Sequence, residues 1–574
     1  MKIERKEKML LKRLNLPTDM KRLSLDELRT LSEEVRERII SVSLQNGGHI
    51  GASLGAVELI VALLKVFDPD RDKIVFDVGH QAYAYKILTG RNADFDRLRA
   101  YGGISGFPKP SESKYDHFVG GHAGNAVSAC CGYAMARKLS GEHHEVISVV
   151  GDGVMVNGET AEGLNLVSST GKQIVVINDN TYSISAGVGS IPEYLAKLRG
   201  GKFEGHIIRG AESPFSNYGI DYIGPIEGHD LAMLTTAFEL AKDSASPVIV
   251  HVVTNKGKGY APAELNPLKL HGVSPRGEGG CVSFGPTIGK TLARLREKDP
   301  RIVAVAAAMA IGTGLAHFES KFPESFIDVG IAESTAITVA ASLARAGYKP
   351  YVGIYSTFLQ RAYDQLLYDV SLDGLDVTLL VDRAGIVGED GESHQGIYDL
   401  SLLSAIPNVT IMAPSSYQEL EAMLEWSVER KGVKVIRYPK GNADTGIPTD
   451  ENFPYWRVLR RGSGDVLIAH GPRMVENALA AADILKAQGR DLTVVNARFI
   501  SPVDLSFLTS YKDKKFYVAE DVIISGSLSE RLMTMGYDVT PITLPNTYVT
   551  FGKVSELQKL YGLDAVSISE KILL

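Results

Sequence analysis

The stretch at 146–185, VISVVGDGVMVNGETAEGLNLVSSTGKQIVVINDNTYSIS, constrains the fold of this 574-residue chain more than any other. Residues 146–150 form a short β-branched run, which reads as a buried parallel strand and ends in Gly151-Asp152-Gly153. A helix-length segment follows. A second apolar run at 174–177 then opens into Asn178-Asp179-Asn180. The pattern is strand–helix–strand, and a right-handed crossover brings the carboxyl ends of both strands to one edge of a sheet.

Asp152 and Asn180 stand at those two ends, 28 residues apart in sequence. Both offer hard oxygen ligands with no Cys or His beside them, which suits Mg²⁺ and not zinc; Mg²⁺ keeps its other positions for water and substrate phosphates. The helix start after Gly153 presents free N–H groups to an anion. A Gly-Asp-Gly turn alone reads as a plain strand-to-helix connection. With Asn180 at the next strand end, it reads as a metal-bridged diphosphate cradle. It is not a dinucleotide fingerprint, because the third glycine is missing at the required spacing.

Strands alternate with helices along the whole chain, so parallel sheets flanked by helices are expected. Residues 25–46 and 54–67 read as helices, 74–78 and 248–253 as strands, and 186–220 as a mobile loop. Residues 261–283 and 441–463 lack apolar rhythm and read as linkers. The segments between and after them carry strands near 302–306, 326–329, 351–354, 377–381, 409–412 and 433–437, then 466–469, 492–495 and 516–519. The expectation is therefore three consecutive α/β domains, 1–275, 276–445 and 446–574. A net charge of −7 gives no reason to expect nucleic-acid binding, and three cysteines without metal spacing fit a reducing cytoplasm. No apolar run reaches membrane-spanning length, and the charged N-terminus does not read as a secretory signal.

His49, His80 and His122 each lie beside glycine in a turn of the first domain. One such histidine is usually structural; three point to a shared site where protons move near neutral pH. Glu333 falls at a strand-to-helix transition in DVGIAESTA, where it reads equally as a helix N-terminal charge. Tyr355, Arg361, Arg383, His394 and Lys440 cluster near predicted strand ends, as donors for a phosphorylated substrate or as surface ion pairs.

The Gly-Asp-Gly…Asn pattern resembles a thiamine diphosphate motif. The strings GGHIGAS, YIGPIEGH, DVGIAE, YSTFLQRAYDQ and DRAGIVGEDGESHQG are similar to those of the 1-deoxy-D-xylulose-5-phosphate synthases, a transketolase-like group, and the likeness spans nearly the whole chain. The resemblance implies that Asp152, Asn180 and the Tyr182 carbonyl hold Mg²⁺. It places His80, Gly121, His122, Ala123, Gly153, Val154, Asn180, Tyr260 and Glu333 at thiamine diphosphate, with Ile184 supporting the bent cofactor. It sets Glu333 against the aminopyrimidine ring, where a carboxyl of raised proton affinity is needed. It brings His49, His271, His394 and Asp390 near the reacting carbons, and Tyr355, Arg361, Arg383 and Lys440 to the acceptor. In that family pyruvate loses CO₂ and its two-carbon remainder joins D-glyceraldehyde 3-phosphate. The enzymes are homodimers, with each active site between the first two domains of one chain.

Several residues depart from the family pattern. The usual EQHA is Glu333-Ser334-Thr335-Ala336, RYPRG is RYPKG with Lys440, and GHSS is Gly121-His122-Ala123-Gly124. Tyr85, Tyr182, Ser325 and Tyr368 replace other usual residues, and the loop between Asn180 and Tyr260 is shorter. These changes leave the cofactor residues in place and gather at the substrate end. A related carboligase or transketolase using another donor or acceptor, and a cofactor-binding scaffold without turnover, are the other readings.

Overall fold

Runs of β-branched and aliphatic residues become strands buried on both faces, as parallel sheets between helix layers require. The computed structural model describes residues 9–181, 187–199, 207–208, 215–276, 283–441, 444–450 and 453–574. The chain falls into two compact units, Met1–Gly279 and Gly280–Leu574.

The first unit holds one sheet. Its strands are β1 (Lys73–Phe76), β2 (Val146–Gly151), β3 (Ile174–Asp179), β4 (Ile207–Ile208), β5 (Asp221–Glu227) and β6 (Val248–Val253), in the spatial order β1-β2-β3-β6-β5-β4. All neighbours are parallel except β4 with β5. One face packs on Leu59, Ile60 and Phe238, the other on Val127, Cys131 and Leu164. The crossover helix Gly158–Thr170 starts where the Asn157 side chain accepts the N–H of Glu159, which satisfies one of the orphan donors of a helix start.

The second unit holds two sheets. Strands β7 (Ile302–Ala306), β8 (Phe326–Asp328), β9 (Lys349–Tyr355), β10 (Thr378–Asp382), β11 (Thr410–Met412) and β12 (Lys434–Tyr438) precede β13 (Arg457–Arg460), β14 (Val466–Ala469), β15 (Thr493–Asn496), β16 (Phe499–Ser501), β17 (Phe516–Ile523) and β18 (Val539–Leu544). The orders are β16-β11-β12-β10-β9-β7-β8 and β13-β15-β14-β17-β18. Strand β16 comes from the last third of the chain, yet pairs antiparallel with β11 on the edge of the larger sheet. A shared core containing Val377, Val435, Val466 and Phe507 joins the two sheets.

Four segments differ from the sequence reading. Residues 261–276 are no free linker: Ala261–Leu265 is helical, and Gly48 and Val273 exchange backbone hydrogen bonds of 2.9 and 2.8 Å. This segment lacks apolar rhythm because it is held by backbone pairing and not by a buried face. Within 441–463, Arg457–Arg460 is an edge strand paired with β15. The helix expected over 54–67 breaks at Ala56 into Ile50–Gly55 and Val57–Val66. Within 186–220, Ser190–Arg199 is a helix. Among the described residues, no helix is long and apolar enough to cross a membrane.

Candidate active site

Parallel pairing lines up the carboxyl ends of β1, β2, β3 and β6 at one edge of the first sheet. Asp152 opens the turn after β2 and Asn180 follows β3. Asp152 is 8% exposed, and its carboxylate accepts the backbone N–H of Asn180. Burial, with the charge of Asp179 added, pushes the Asp152 carboxyl up to about 7. Asp179 is stabilised in the charged form by donors on two sides: His251 Nε2 lies 2.8 Å away and the Arg199 guanidinium is paired with it. His251 in turn meets the Tyr222 hydroxyl at 2.6 Å. Tyr182 and Ile184 lie outside the described residues.

The turn after β1 supplies the next layer. The buried Asp77 carboxylate accepts the N–H of Gly124 at 2.9 Å and of Ala126 at 3.0 Å, and Gly121 N–H donates to Val78 O at 2.7 Å. These bonds fix the backbone of Gly121, His122 and Ala123 in front of the helix Ala126–Ser140. His49, His80 and His271 come together, with ring centroids 5.3–5.9 Å apart. His49, His80 and His122 were expected to share a site. His271, carried by the segment read as a linker, joins His49 and His80 in the group. Burial, then the charge of Lys256, pulls His80 down to about 3 and His271 well below its usual range. Both rings are therefore neutral near pH 7, each with one donor and one acceptor nitrogen. The Nδ1 atoms of His80 and His271 are buried with no hydrogen-bond partner among the described residues.

Lys256 was not assigned from sequence. It sits in the Gly-rich turn after β6, 5% exposed, and burial lowers its ammonium to about 8 against the opposing pull of Asp152. Its signal was there in KGKGY, a Gly-flanked lysine at a parallel strand end. Tyr260 closes this turn, with its N–H donating to Gly257 O at 3.0 Å. The Arg36 guanidinium pairs with Glu58 and donates to Lys258 O at 3.0 Å, while His229 Nδ1 lies 2.9 Å from Glu58. A buried carboxylate facing a buried ammonium, with orphaned imidazole nitrogens nearby, fits a ligand that brings a cation to Asp152, anionic oxygens to Lys256 and polar atoms to the histidines.

In the second unit, Glu333 is the first residue of the helix Glu333–Arg345 and 6% exposed. A helix start favours a negative charge, but desolvation wins and raises its carboxyl above the usual range, with the Arg361 charge opposing. Arg361 thus acts on Glu333. Ser334 is half-buried and Thr335 exposed. Register sets Tyr355, Asp382 and Tyr438 in one row across β9, β10 and β12, so the residues just beyond them share the sheet edge. The Arg383 guanidinium stacks 3.7 Å above the Tyr355 ring and pairs with Asp382. Lys440 Nζ lies 2.9 Å from Asp390 Oδ2 and 3.7 Å from Glu389. Phe358 joins His394 to Tyr355, with ring centroids 5.6 Å apart on each side. Among the substituted positions, Tyr85 is a core residue whose hydroxyl donates to Tyr115 O, Ser325 accepts from the Arg296 guanidinium, and Tyr368 is exposed.

A family model described as 1-deoxy-D-xylulose-5-phosphate synthase matches residues 11–211 and 202–254. Models of the transketolase pyrimidine binding domain and the transketolase C-terminal domain match 282–445 and 454–568. The 1-deoxy-D-xylulose-5-phosphate synthases of Dictyoglomus thermophilum and Clostridium beijerinckii are 44% and 42% identical, over 98% of this chain and 99% of each relative. The protein named 1-deoxy-D-xylulose-5-phosphate synthase 2 in Geobacter sulfurreducens is 41% identical over the same shares. A solved transketolase from Campylobacter jejuni is similar at 18% identity over 96% of this chain and 100% of that one, with a TM-score of 0.46. Sequence likeness that runs from end to end at this level makes the chain a member of the 1-deoxy-D-xylulose-5-phosphate synthase family.

Proposed function

We propose that this chain is a thiamine diphosphate-dependent transferase that condenses pyruvate with D-glyceraldehyde 3-phosphate, giving 1-deoxy-D-xylulose 5-phosphate and CO₂. The observation that carries this reading is the convergence of Asp152, Asn180, Lys256 and three histidines at one sheet edge, in a chain with full-length relatives of that name. The broader carboligase reading is not favoured, because all three full-length relatives named above share one activity in their names.

Thiamine diphosphate, when bound, supplies the nucleophilic carbon and the electron sink that let a 2-oxo acid lose CO₂. Asp152 and Asn180, with the Tyr182 carbonyl, would hold Mg²⁺. The backbone of Gly121, His122, Ala123, Gly153 and Val154, with His80, Tyr260 and Ile184, would hold the cofactor, and Lys256 would offset its diphosphate charge. Glu333 holds or releases a proton at the aminopyrimidine ring; its raised proton affinity suits that task. His49, His271, whose ring is neutral near pH 7, and His394 hold protons at the substrate oxygens. Arg383 and Lys440 bind the acceptor phosphate beside Tyr355, and Asp390 orients the Lys440 ammonium. Arg361 tempers the proton affinity of Glu333. The functional domains follow 1–275, 276–445 and 446–574, and the chain works as a homodimer in the cytoplasm. Two buried free thiols, Cys130 and Cys131, fit a reducing compartment.

The test is product formation by the purified protein. CO₂ and 1-deoxy-D-xylulose 5-phosphate should appear in equal amounts, and only with both substrates, thiamine diphosphate and Mg²⁺ present. CO₂ release without any ketose phosphate from glyceraldehyde 3-phosphate would overturn the acceptor assignment.

A further inference from the structure

The loops that carry the acceptor residues follow two adjacent strands of the larger sheet. Arg383, Asp390 and His394 follow β10, and Lys440 follows β12. Each loop is long and polar, so something must fix its backbone. Part of the work is internal: Ala384 N–H donates to Tyr438 O at 2.9 Å, and Gly385 and Gly396 exchange hydrogen bonds of 2.7 and 2.9 Å.

The rest comes from the last third of the chain. Arg473 is the second residue of the helix Pro472–Ala487, which follows β14. Its guanidinium donates through Nη1 to Ile386 O at 2.8 Å and through Nη2 to Lys440 O. One planar fork thereby ties the β10 loop to the β12 loop through their carbonyls. A lysine ammonium also has donors for two carbonyls, but no planar fork to fix the distance between them. Asp521, on β17, sits against Gly385: a Cβ there would lie 1.9 Å from its carboxylate, and the Gly385 φ of +78° is one that other residues rarely adopt. Asp521 and Glu389 both attract the Arg473 charge. Gln395 extends the same support, donating to Thr550 O at 2.9 Å while accepting Val387 N–H at 2.6 Å. The cavity beside Arg473, lined also by Arg437, His470 and Asp521, is about 20 Å³. It has room for a water, and the Arg473 guanidinium itself touches the two loop carbonyls.

We propose that Arg473 is a positioning residue for acceptor selection: its two-carbonyl fork sets the distance between the Arg383–Asp390–His394 loop and Lys440, and with it the geometry in which the acceptor phosphate is gripped. This rests on the reading above that these loops bind the acceptor. Pyruvate handling and cofactor retention do not depend on the fork.

The test compares wild type with Arg473→Met and Arg473→Lys, using the full-length holoenzyme. Arg473→Met should raise KM for D-glyceraldehyde 3-phosphate about tenfold or more, keep KM for pyruvate and the thiamine diphosphate affinity within about twofold, and flatten the preference for the phosphorylated over the unphosphorylated aldehyde. Arg473→Lys should recover part of that loss. Amide hydrogen exchange reads the fork without substrate: peptides covering 383–396 and 438–441 should exchange faster in Arg473→Met while β14 and the first sheet do not change. An acceptor KM within twofold of wild type, or an equal rise in both KM values, overturns the proposal, as does unchanged exchange in the two loops. A wild type that makes no ketose phosphate while Arg473→Met still loosens both loops overturns the acceptor reading, and with it the selection role, leaving the fork as a structural tie alone.

Discussion

Replacing Asp152 by asparagine should stabilise the metal-free protein while removing its capacity to hold cofactor. The Asp152 carboxyl is buried and titrates at about 7 in the folded chain, chiefly through desolvation and secondarily through Asp179. In the unfolded chain an aspartate loses its proton near pH ~3.9. Between those values the folded chain keeps a proton that the unfolded chain has given up. Stability therefore falls as pH rises through this window and stays at the lower level above about 7. A difference of about three pH units, at about 1.4 kcal/mol per unit, corresponds to roughly 4 kcal/mol at pH 8. The asparagine amide oxygen still accepts the N–H of Asn180, but its NH₂ group is buried and costs about 1–2 kcal/mol. The net gain is about 2 kcal/mol, a rise of roughly 4–8 °C in the melting temperature of the first unit. The assay is thermal unfolding of chelator-stripped wild type and Asp152→Asn at pH 5 and pH 8, then at pH 8 with Mg²⁺ and thiamine diphosphate. At pH 5 the two proteins should melt close together; at pH 8 the variant should be the more stable. Adding Mg²⁺ and cofactor should raise only the wild type, since ligand that binds the native state stabilises it by mass action. A stripped variant that melts below wild type at pH 8 would refute the reasoning, because Asp152 would then be a structural acceptor and not a carboxylate held for a cation.

Glu333→Gln keeps the size of the side chain but can no longer exchange a proton, so turnover should fall by about 10²–10⁴-fold with thiamine diphosphate affinity little changed; calorimetry together with steady-state rates checks this, and near-normal turnover would leave Glu333 as a helix-end charge. Lys440→Arg offers the acceptor phosphate a planar fork in place of a point charge, so kcat/KM for D-glyceraldehyde 3-phosphate relative to D-glyceraldehyde should rise; an unchanged ratio would show that the Lys440–Asp390 pair already fixes the ammonium as tightly as a fork would.

Strand positions were legible wherever a β-branched run is buried on both faces, because such runs stand out from their surroundings without any partner: β2, β3 and β7 are of this kind. Edge elements were not. Arg457–Arg460 is half-buried throughout and charged at both ends, so its pairing with β15 leaves no apolar mark. In the site, Asp152, Asn180, His49 and His80 could be singled out because turn glycines and strand ends flag them locally. His271 was reached only through the resemblance, since its place beside His49 depends on backbone pairing between Gly48 and Val273, more than 200 residues apart. The Asp179–His251–Tyr222 chain and the fork of Arg473 were invisible for the same reason: each is a long-range contact between polar groups that look ordinary in their own neighbourhoods.

The strand Phe499–Ser501 has a consequence for how the chain comes to be folded. It supplies the outer edge of a sheet whose other six strands all lie between Ile302 and Tyr438. A ribosome that has released only those six strands has produced a sheet with Thr410–Met412 as an open rim, its backbone groups bare to any other extended chain. The rim is covered only after about sixty more residues have emerged, among them the three strands Arg457–Arg460, Val466–Ala469 and Thr493–Asn496 of the neighbouring sheet. The two sheets of the second unit thus mature together during synthesis, and a gene cut after residue 445 yields a protein with an adhesive edge, not a smaller independent enzyme half.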